Sequence, residues 1–423
     1  MPHLLLPLIV AAAILLMLLR PRGIPEVYWI SAGALLLIIL RLIPLSLAGH
    51  AIAKGLDVYL FLIGMMLLSE LARVHGVFDW LAAVAVRLAR GSATRLFTLV
   101  YLLGTLVTIF MSNDATAVVL TPAILTAVRK AKVAPLPYLF ACALIANAAS
   151  FVLPISNPAN LVVFRGAMPP LPHWLLAFAL PSLLSILTTY VVLRLLYRKD
   201  LTAALESIPE PTPLGLTGKL VLAGLAVMVA TLLAASALDK DLGLPACLAS
   251  LAITAVVSIT AARTKTPGAN PLGLAREISW STLTLVAGLF ILVDATVSIG
   301  ALNFTQAALS WAAHLAPAAA TLLTGFTVGI ANNLLNNLPL GLIAGATLQA
   351  SHTHGLLANA VLIGVDLGPN LSITGSLATI LWLLALRKEK LDVTFWDFLK
   401  VGIIAMPAAL LAALVATLLA THS

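Results

Sequence analysis

The chain has 423 residues, 61% of them hydrophobic and only 9% charged, with a mean hydropathy of +1.09. Soluble domains carry roughly 25% charged residues, so this composition excludes a water-soluble globule and indicates an all-α polytopic membrane protein. The formal charge of +8 does not point to nucleic acid, because the Lys and Arg residues lie in short loops between apolar runs, where they act as topology signals.

In chain order, apolar runs of membrane-spanning length fall at 3–19, 27–47, 56–72, 138–164, 174–197, 219–238, 242–262, 280–299, 356–385 and 400–420. The first run lacks a basic flank and is followed by "RPRGIP", so it reads as a span and not a cleaved leader. Two further pairs, 96–130 and 317–350, each fold around a polar midpoint and suit re-entrant hairpins of two helices of about 15 residues. With both termini outside, twenty Lys and Arg residues collect on the cytoplasmic side, and the exterior keeps only Lys54, Arg165 and Lys240. That asymmetry sets the orientation in an inner membrane.

The Pro-rich, mixed-charge stretch 198–218 divides the chain near its middle. Residues 1–197 and 219–423 then each hold five spans, one hairpin and one broken helix, with opposite starting sides. An inverted repeat of this kind is a signature of secondary transporters, whose substrate site lies where the repeats meet.

Four polar interruptions mark that meeting place. The first hairpin carries "SNDAT", with Asn113, Asp114 and Thr116; the first broken span carries "PISNPAN", with Ser156, Asn157 and Asn160. The second hairpin carries "NNLLNNLP", with Asn332, Asn333, Asn336 and Asn337, and the second broken span carries "DLGPNLSITG", with Asp366, Asn370 and Thr374. Pro removes an amide and Gly loosens the backbone, so a helix unwinds at such a site and frees groups that bind polar ligands. Other polar residues read as structural: Asn147 as a helix-to-helix hydrogen bond, Glu70 as an interfacial charge beside Arg73, Asp294 as a structural or gating group, and His352 and His354 as solvated. Cys142 and Cys247 lie in separate apolar segments with no metal-ligand spacing, so they read as buried structural thiols, and neither metal nor cofactor is indicated.

The stretches "SNDATAVVLTP", "PISNPANLVVF", "NNLPLGLIAG" and "LIGVDLGPNLSITGSLATILWL" resemble the arsenite efflux permease family, ArsB, within the ion transporter superfamily. The resemblance covers essentially the whole chain. It implies the inverted-repeat fold and a non-enzymatic carrier that exports arsenite or antimonite against inward proton movement, with a soluble ATPase as partner in some members. The chain departs from the family pattern at Ala115 and Asn370, where members carry Gly and Lys.

Chemistry favours the same reading. Arsenite at neutral pH is a neutral trihydroxide, each hydroxyl both donor and acceptor, and the four breaks offer Asn, Ser and Thr with no Lys or Arg. A dicarboxylate or inorganic anion needs compensating charge, so the alternative, a carrier of such anions on the same fold, requires bound Na⁺. Asp114 and Asp366 are the expected proton carriers, since an isolated carboxylate at membrane depth is costly to keep charged.

Overall fold

The structure is a computed structural model that describes residues 2–165, 168–207, 213–265, 270–300 and 302–420; residues 208–212 of the expected linker lie outside them. All named elements are helical. The first half contains α1 (Pro2–Leu19), α2 (Glu26–Ile39), α3 (Leu45–Lys54), α4 (Leu56–Val74), α5 (Val77–Leu88), α6 (Ala93–Phe110), α7 (Thr121–Lys130), α8 (Leu136–Ala148), α9 (Pro158–Val163) and α10 (Leu171–Leu196). The second contains α11 (Leu216–Ala237), α12 (Gly243–Thr264), α13 (Pro271–Glu277), α14 (Trp280–Ser298), α15 (Leu302–Ala313), α16 (Pro317–Leu335), α17 (Asn337–Ala350), α18 (Leu356–Leu367), α19 (Leu377–Lys388) and α20 (Phe395–Ala420). Among the described residues, seven helices are long and apolar enough to cross a membrane, or eight with α3 and α4, bent by 47°, taken as one span.

Local chemistry sets the breaks. The run expected at 27–47 stops early: Arg41 turns left-handed, the Leu42 amide donates back to the Leu37 carbonyl at 2.9 Å, and Pro44 forbids continuation, so α3 starts a new direction. Asn157 caps α9 by accepting from the Ala159 amide at 3.0 Å, with Pro158 pre-set at the first helical position. Ser376 caps α19 in the same way through the Thr379 amide at 3.1 Å. The hairpin limbs are longer and less even than 15 residues: α6 has 18 and α16 has 19, and the first return limb passes through a π-helical turn, Ala115–Leu120, before α7.

Pairings in the first half recur in the second. Helix α4 packs on α12 as α2 packs on α14; α1 on α2 as α11 on α12; α6 on α8 as α16 on α18; and α10 on α20 joins the halves. The first of these crossings is close. A Cβ on Gly64 would sit 2.7 Å from the Ala246 carbonyl, and one on Gly288 would sit 2.7 Å from the Ile30 side chain. These two glycines are 224 positions apart, the same spacing that relates Met66 to Phe290 and Glu70 to Asp294. Small residues at crossings let helices approach where no hydrophobic force pulls them together in lipid.

Candidate substrate site

At the first hairpin tip, between α6 and the π-helical turn, side chains cap the backbone. Asn113 Oδ1 accepts from the Asp114 amide at 2.9 Å and Ser112 Oγ from the Ala115 amide at 3.2 Å. Asp114 itself makes no capping bond, which leaves its carboxylate facing the space beyond the tip. At the second tip Asn336 adopts φ 69°, its Nδ2 donates to the Thr374 carbonyl at 3.3 Å, and Asn337 starts α17 with a buried Oδ1 that has no partner.

The broken spans are held open by amides. Asn160 Nδ2 reaches the carbonyls of Ser150 at 2.9 Å and of Leu153 and Pro154 at 3.3 Å, satisfying the acceptors that the break after α8 frees. In the second break, Asn333 Nδ2 donates to the Gly368 carbonyl at 3.0 Å, Ser372 Oγ donates to Asn333 Oδ1 at 2.7 Å, and Thr374 Oγ1 donates to the Asn333 carbonyl at 3.0 Å. Asn332 Nδ2 ties the same hairpin to the carbonyls of Gly364 and Val365. Side chains near the two breaks also meet across the halves: Asn147 Nδ2 donates to Asn370 Oδ1 at 2.9 Å, and Asn157 Nδ2 donates to Asp366 Oδ1 at 2.8 Å.

Three of the four interruptions and the start of α19 meet at one small cavity. Asn113 and Asp114 come from the first tip, Asn157 and Pro158 from the first break, Asn337 and Leu338 from the second hairpin, and Leu377 and Ala378 from the first turn of α19, just past the second break. Leu62 of α4 and Thr282 of α14 complete it, and no Lys or Arg lines it among the described residues. Asp366, fully buried, stands one hydrogen bond behind Asn157, and its Oδ2 has no partner. The cavity continues into a vestibule of about 740 Å³ along Met65, Met66, Ser69, Ser112 and Val118, whose far end holds Glu70 and Glu277.

Of the residues singled out from the sequence, Asn113, Asp114, Asn157 and Asn337 thus share the cavity. Asn336 and Thr374 line a neighbouring space of about 370 Å³ across Leu338 and Leu377. Thr116, Ser156, Asn160, Asn333 and Asn370 line neither. Thr116 Oγ1 is 2.8 Å from Thr108 Oγ1, Ser156 Oγ donates to the Ile109 carbonyl at 2.9 Å, and the three asparagines are committed to backbone or to Asn147. Their role is to hold the breaks that position the cavity. Asn147 is the helix-to-helix bond expected of it, Glu70 pairs with Arg73 at 2.5 Å, and both cysteines are free. Sequence reasoning missed Thr282 and Leu62, which sit in unbroken helices with no local signal. It also missed a partner for Asp294, which binds Lys54 at 2.6 Å from 240 positions away.

The sequence model of the family described as citrate transporter, CitMHS, matches residues 8–365. The chain belongs to this family. Within the citrate transporter family's reach, it is 26% identical over 403 residues to an Escherichia coli protein named arsenical pump membrane protein, covering 92% of each chain. It is 29% identical over 358 residues to a protein of that name from Escherichia coli strain K12, covering 81% of each, and 26% identical over 424 residues to a Bacillus subtilis protein named putative arsenical pump membrane protein, covering 93% and 94%. The YdaH transporter of Alcanivorax borkumensis, described as having an unusual topology, shares the fold with a TM-score of 0.55 at 15% identity, over 88% of this chain and 86% of that one. The chain is therefore a multi-span membrane transporter, of the kind that the ArsB resemblance implies.

Proposed function

We propose that the protein exports arsenite and antimonite from the cytoplasm, coupled to inward proton movement, as an inverted repeat of residues 1–197 and 219–423 with both termini outside. The observation that carries this reading is the lining of the central cavity: amides of Asn113, Asn157 and Asn337 beside the Asp114 carboxylate, without a cation. Amides both donate to and accept from the hydroxyls of a neutral trihydroxide, and the unpartnered Asn337 Oδ1 is an acceptor in waiting. Citrate, with three carboxylates, would meet Asp114 and find no compensating charge, so the citrate named in the family's description suits this cavity poorly.

Asp366 is the coupling group in this scheme and Asn157 its reporter. Ionised, Asp366 fixes the Asn157 amide by a charge-assisted bond and so presents a set pocket to arsenite from the cytoplasm. A proton taken from outside onto the carboxylate weakens that bond, releases Asn157 and lets substrate go. Asp114, at the junction of cavity and vestibule, exchanges its proton with the cytoplasmic side. The relatives' names support the arsenical substrate; a soluble ATPase is no part of this cycle.

Arsenite uptake into everted vesicles lacking any ATPase tests the scheme, with the pH and electrical gradients collapsed separately. Uptake driven by a pH gradient in Na⁺-free buffer is expected. Uptake that instead requires Na⁺ would replace the scheme with the anion carrier, and uptake only after an ATPase is added would replace it with a pump subunit.

A further inference from the structure

Among the described residues, the cavity has one broad extension. Toward Glu70 and Glu277 it widens into the vestibule, which the orientation expected from the Lys and Arg distribution puts on the cytoplasmic side. In the other direction, α14 is covered. Phe290 is fully buried, with the Tyr59 ring edge-on at 6.0 Å and the Arg165 guanidinium 5.3 Å from its centroid. One turn further along α14, Asp294 takes Lys54 of α3 at 2.6 Å, and beyond this pair begins an outer depression lined by Pro44, Ser46, Leu47, His50 and Ala53, which no residue of the central cavity reaches.

The repeat gives these contacts their meaning. Phe290 and Asp294 occupy the positions of Met66 and Glu70 in the other half. Met66 and Glu70 line the open vestibule, and Glu70 is held by Arg73 of its own helix, a bond that closes nothing. At the opposite end the equivalent acid reaches across to another helix, and the equivalent apolar residue is stoppered by an aromatic ring and a guanidinium. Lys54 and Arg165 are two of the three basic residues expected outside, and both are spent on α14.

We infer that Lys54–Asp294, together with Phe290 between Tyr59 and Arg165, is the exterior gate of the substrate route, closed in this conformation, and that opening it exchanges the roles of the Glu70 and Asp294 ends. The inference rests on the two-sided transporter reading but not on the identity of the cargo. Its labelling test needs no substrate and uses protein whose two cysteines are replaced (Cys142→Ala, Cys247→Ala). Ser69→Cys in the vestibule and Val293→Cys, its counterpart beside the gate, are labelled with a membrane-impermeant thiol reagent from either side of the membrane. The gate-intact protein is expected to label at Ser69→Cys from the cytoplasm and scarcely at Val293→Cys from outside. Adding Asp294→Asn or Lys54→Gln should raise external labelling of Val293→Cys by about fivefold, the scale of one partly exposed ion pair, and the exchanged pair Lys54→Asp with Asp294→Lys should reverse that rise. In addition, Lys54→Cys with Asp294→Cys bridged by a short bismaleimide should stop transport while vestibule labelling persists. Unchanged labelling in both single variants, labelling of Val293→Cys from the cytoplasm, or transport that survives the bridge would each overturn the gate. Because labelling needs no arsenite, a carrier of some other solute would still pass or fail this test on its own terms.

Discussion

Replacing Asp366 by Asn removes one charge and almost no volume from a fully buried position. The Asn side-chain oxygen can still accept from Asn157 Nδ2, which reaches the carboxylate at 2.8 Å from the other half. What is lost is the charge-assisted part, the difference between about 1.5–3 kcal/mol for a bond to an ionised group and about 0.5–1.5 kcal/mol for a neutral one. Roughly 1–2 kcal/mol of pocket pre-organisation corresponds to about a five- to thirtyfold weaker apparent affinity for arsenite. The second consequence is qualitative: a side chain that cannot ionise cannot carry the coupled proton. Asp366→Asn vesicles should therefore exchange arsenite down its gradient at a rate nearly independent of pH, yet fail to accumulate it when a pH gradient is imposed. The assay compares initial exchange and steady-state accumulation from pH 5.5 to 8, a window of about 2.5 pH units that brackets neutrality, with membrane content of the variant measured in parallel. Accumulation that keeps its full pH dependence in Asp366→Asn would refute the assignment, and the same result in Asp114→Asn as well would remove both aspartates from coupling.

Four further outcomes rest on the placement of individual side chains. Asn113→Ala and Asn337→Ala should each weaken apparent arsenite affinity by a few-fold to about tenfold, one hydrogen bond of about 0.5–1.5 kcal/mol, in transport assays at varied arsenite. Thr374→Ala should leave affinity closer to the parent value, because its hydroxyl serves the Asn333 carbonyl and not the central cavity. Asn160→Ala should lower thermal stability in detergent by leaving the Ser150, Leu153 and Pro154 carbonyls without their shared donor, a loss of about 1–3 kcal/mol. Gly64→Val and Gly288→Val should each cost about 1–3 kcal/mol or more by forcing apart the crossings of α4 with α12 and of α2 with α14, read as an earlier melting transition.

Composition and punctuation made much of this legible. Apolar runs divided by Pro, Gly and Asn had to be spans and breaks, because unpaired backbone in lipid is too costly to occur without a polar reason. The four interruptions were found for the same reason, and residues of three of them line one cavity, while the polar residues of the second break lie beside it. Which amides face the cavity was not legible. Asn157 and Asn160 lie three residues apart in one motif, yet one reaches across to Asp366 and the other turns back onto its own break; the choice depends on where the second half lies. The end of α2 was hidden because Arg41 gives no sign in sequence of a left-handed turn, and the partner of Asp294 was hidden because ion pairs across 240 positions leave no periodicity.

The two aspartates occupy inequivalent places within the proposed repeat. Asp366 corresponds to Asn147, the same 219 positions apart as the capping residues Asn157 and Ser376, and Asp114 corresponds to Asn337 across the two hairpin tips. At each pair one half supplies a carboxylate and the other an amide of nearly equal size. A two-fold arrangement with carboxylates at all four positions would set four charges into a site proposed to bind a neutral solute; amides at all four would suit that solute but could not sense pH. One carboxylate on each repeat, at different heights in the site, keeps the amide geometry and adds two titratable groups that see different sides of the cavity: Asp114 at the vestibule junction, Asp366 sealed behind Asn157. Exchanging the pair, Asp366→Asn with Asn147→Asp, preserves composition and volume while moving the sealed carboxylate onto Asn370, which now receives the Asn147 amide at 2.9 Å. If position and not mere presence of the charge couples the proton to substrate, that double variant should bind arsenite and fail to accumulate it, whereas accumulation at the parent level would mean that any buried carboxylate between the repeats suffices.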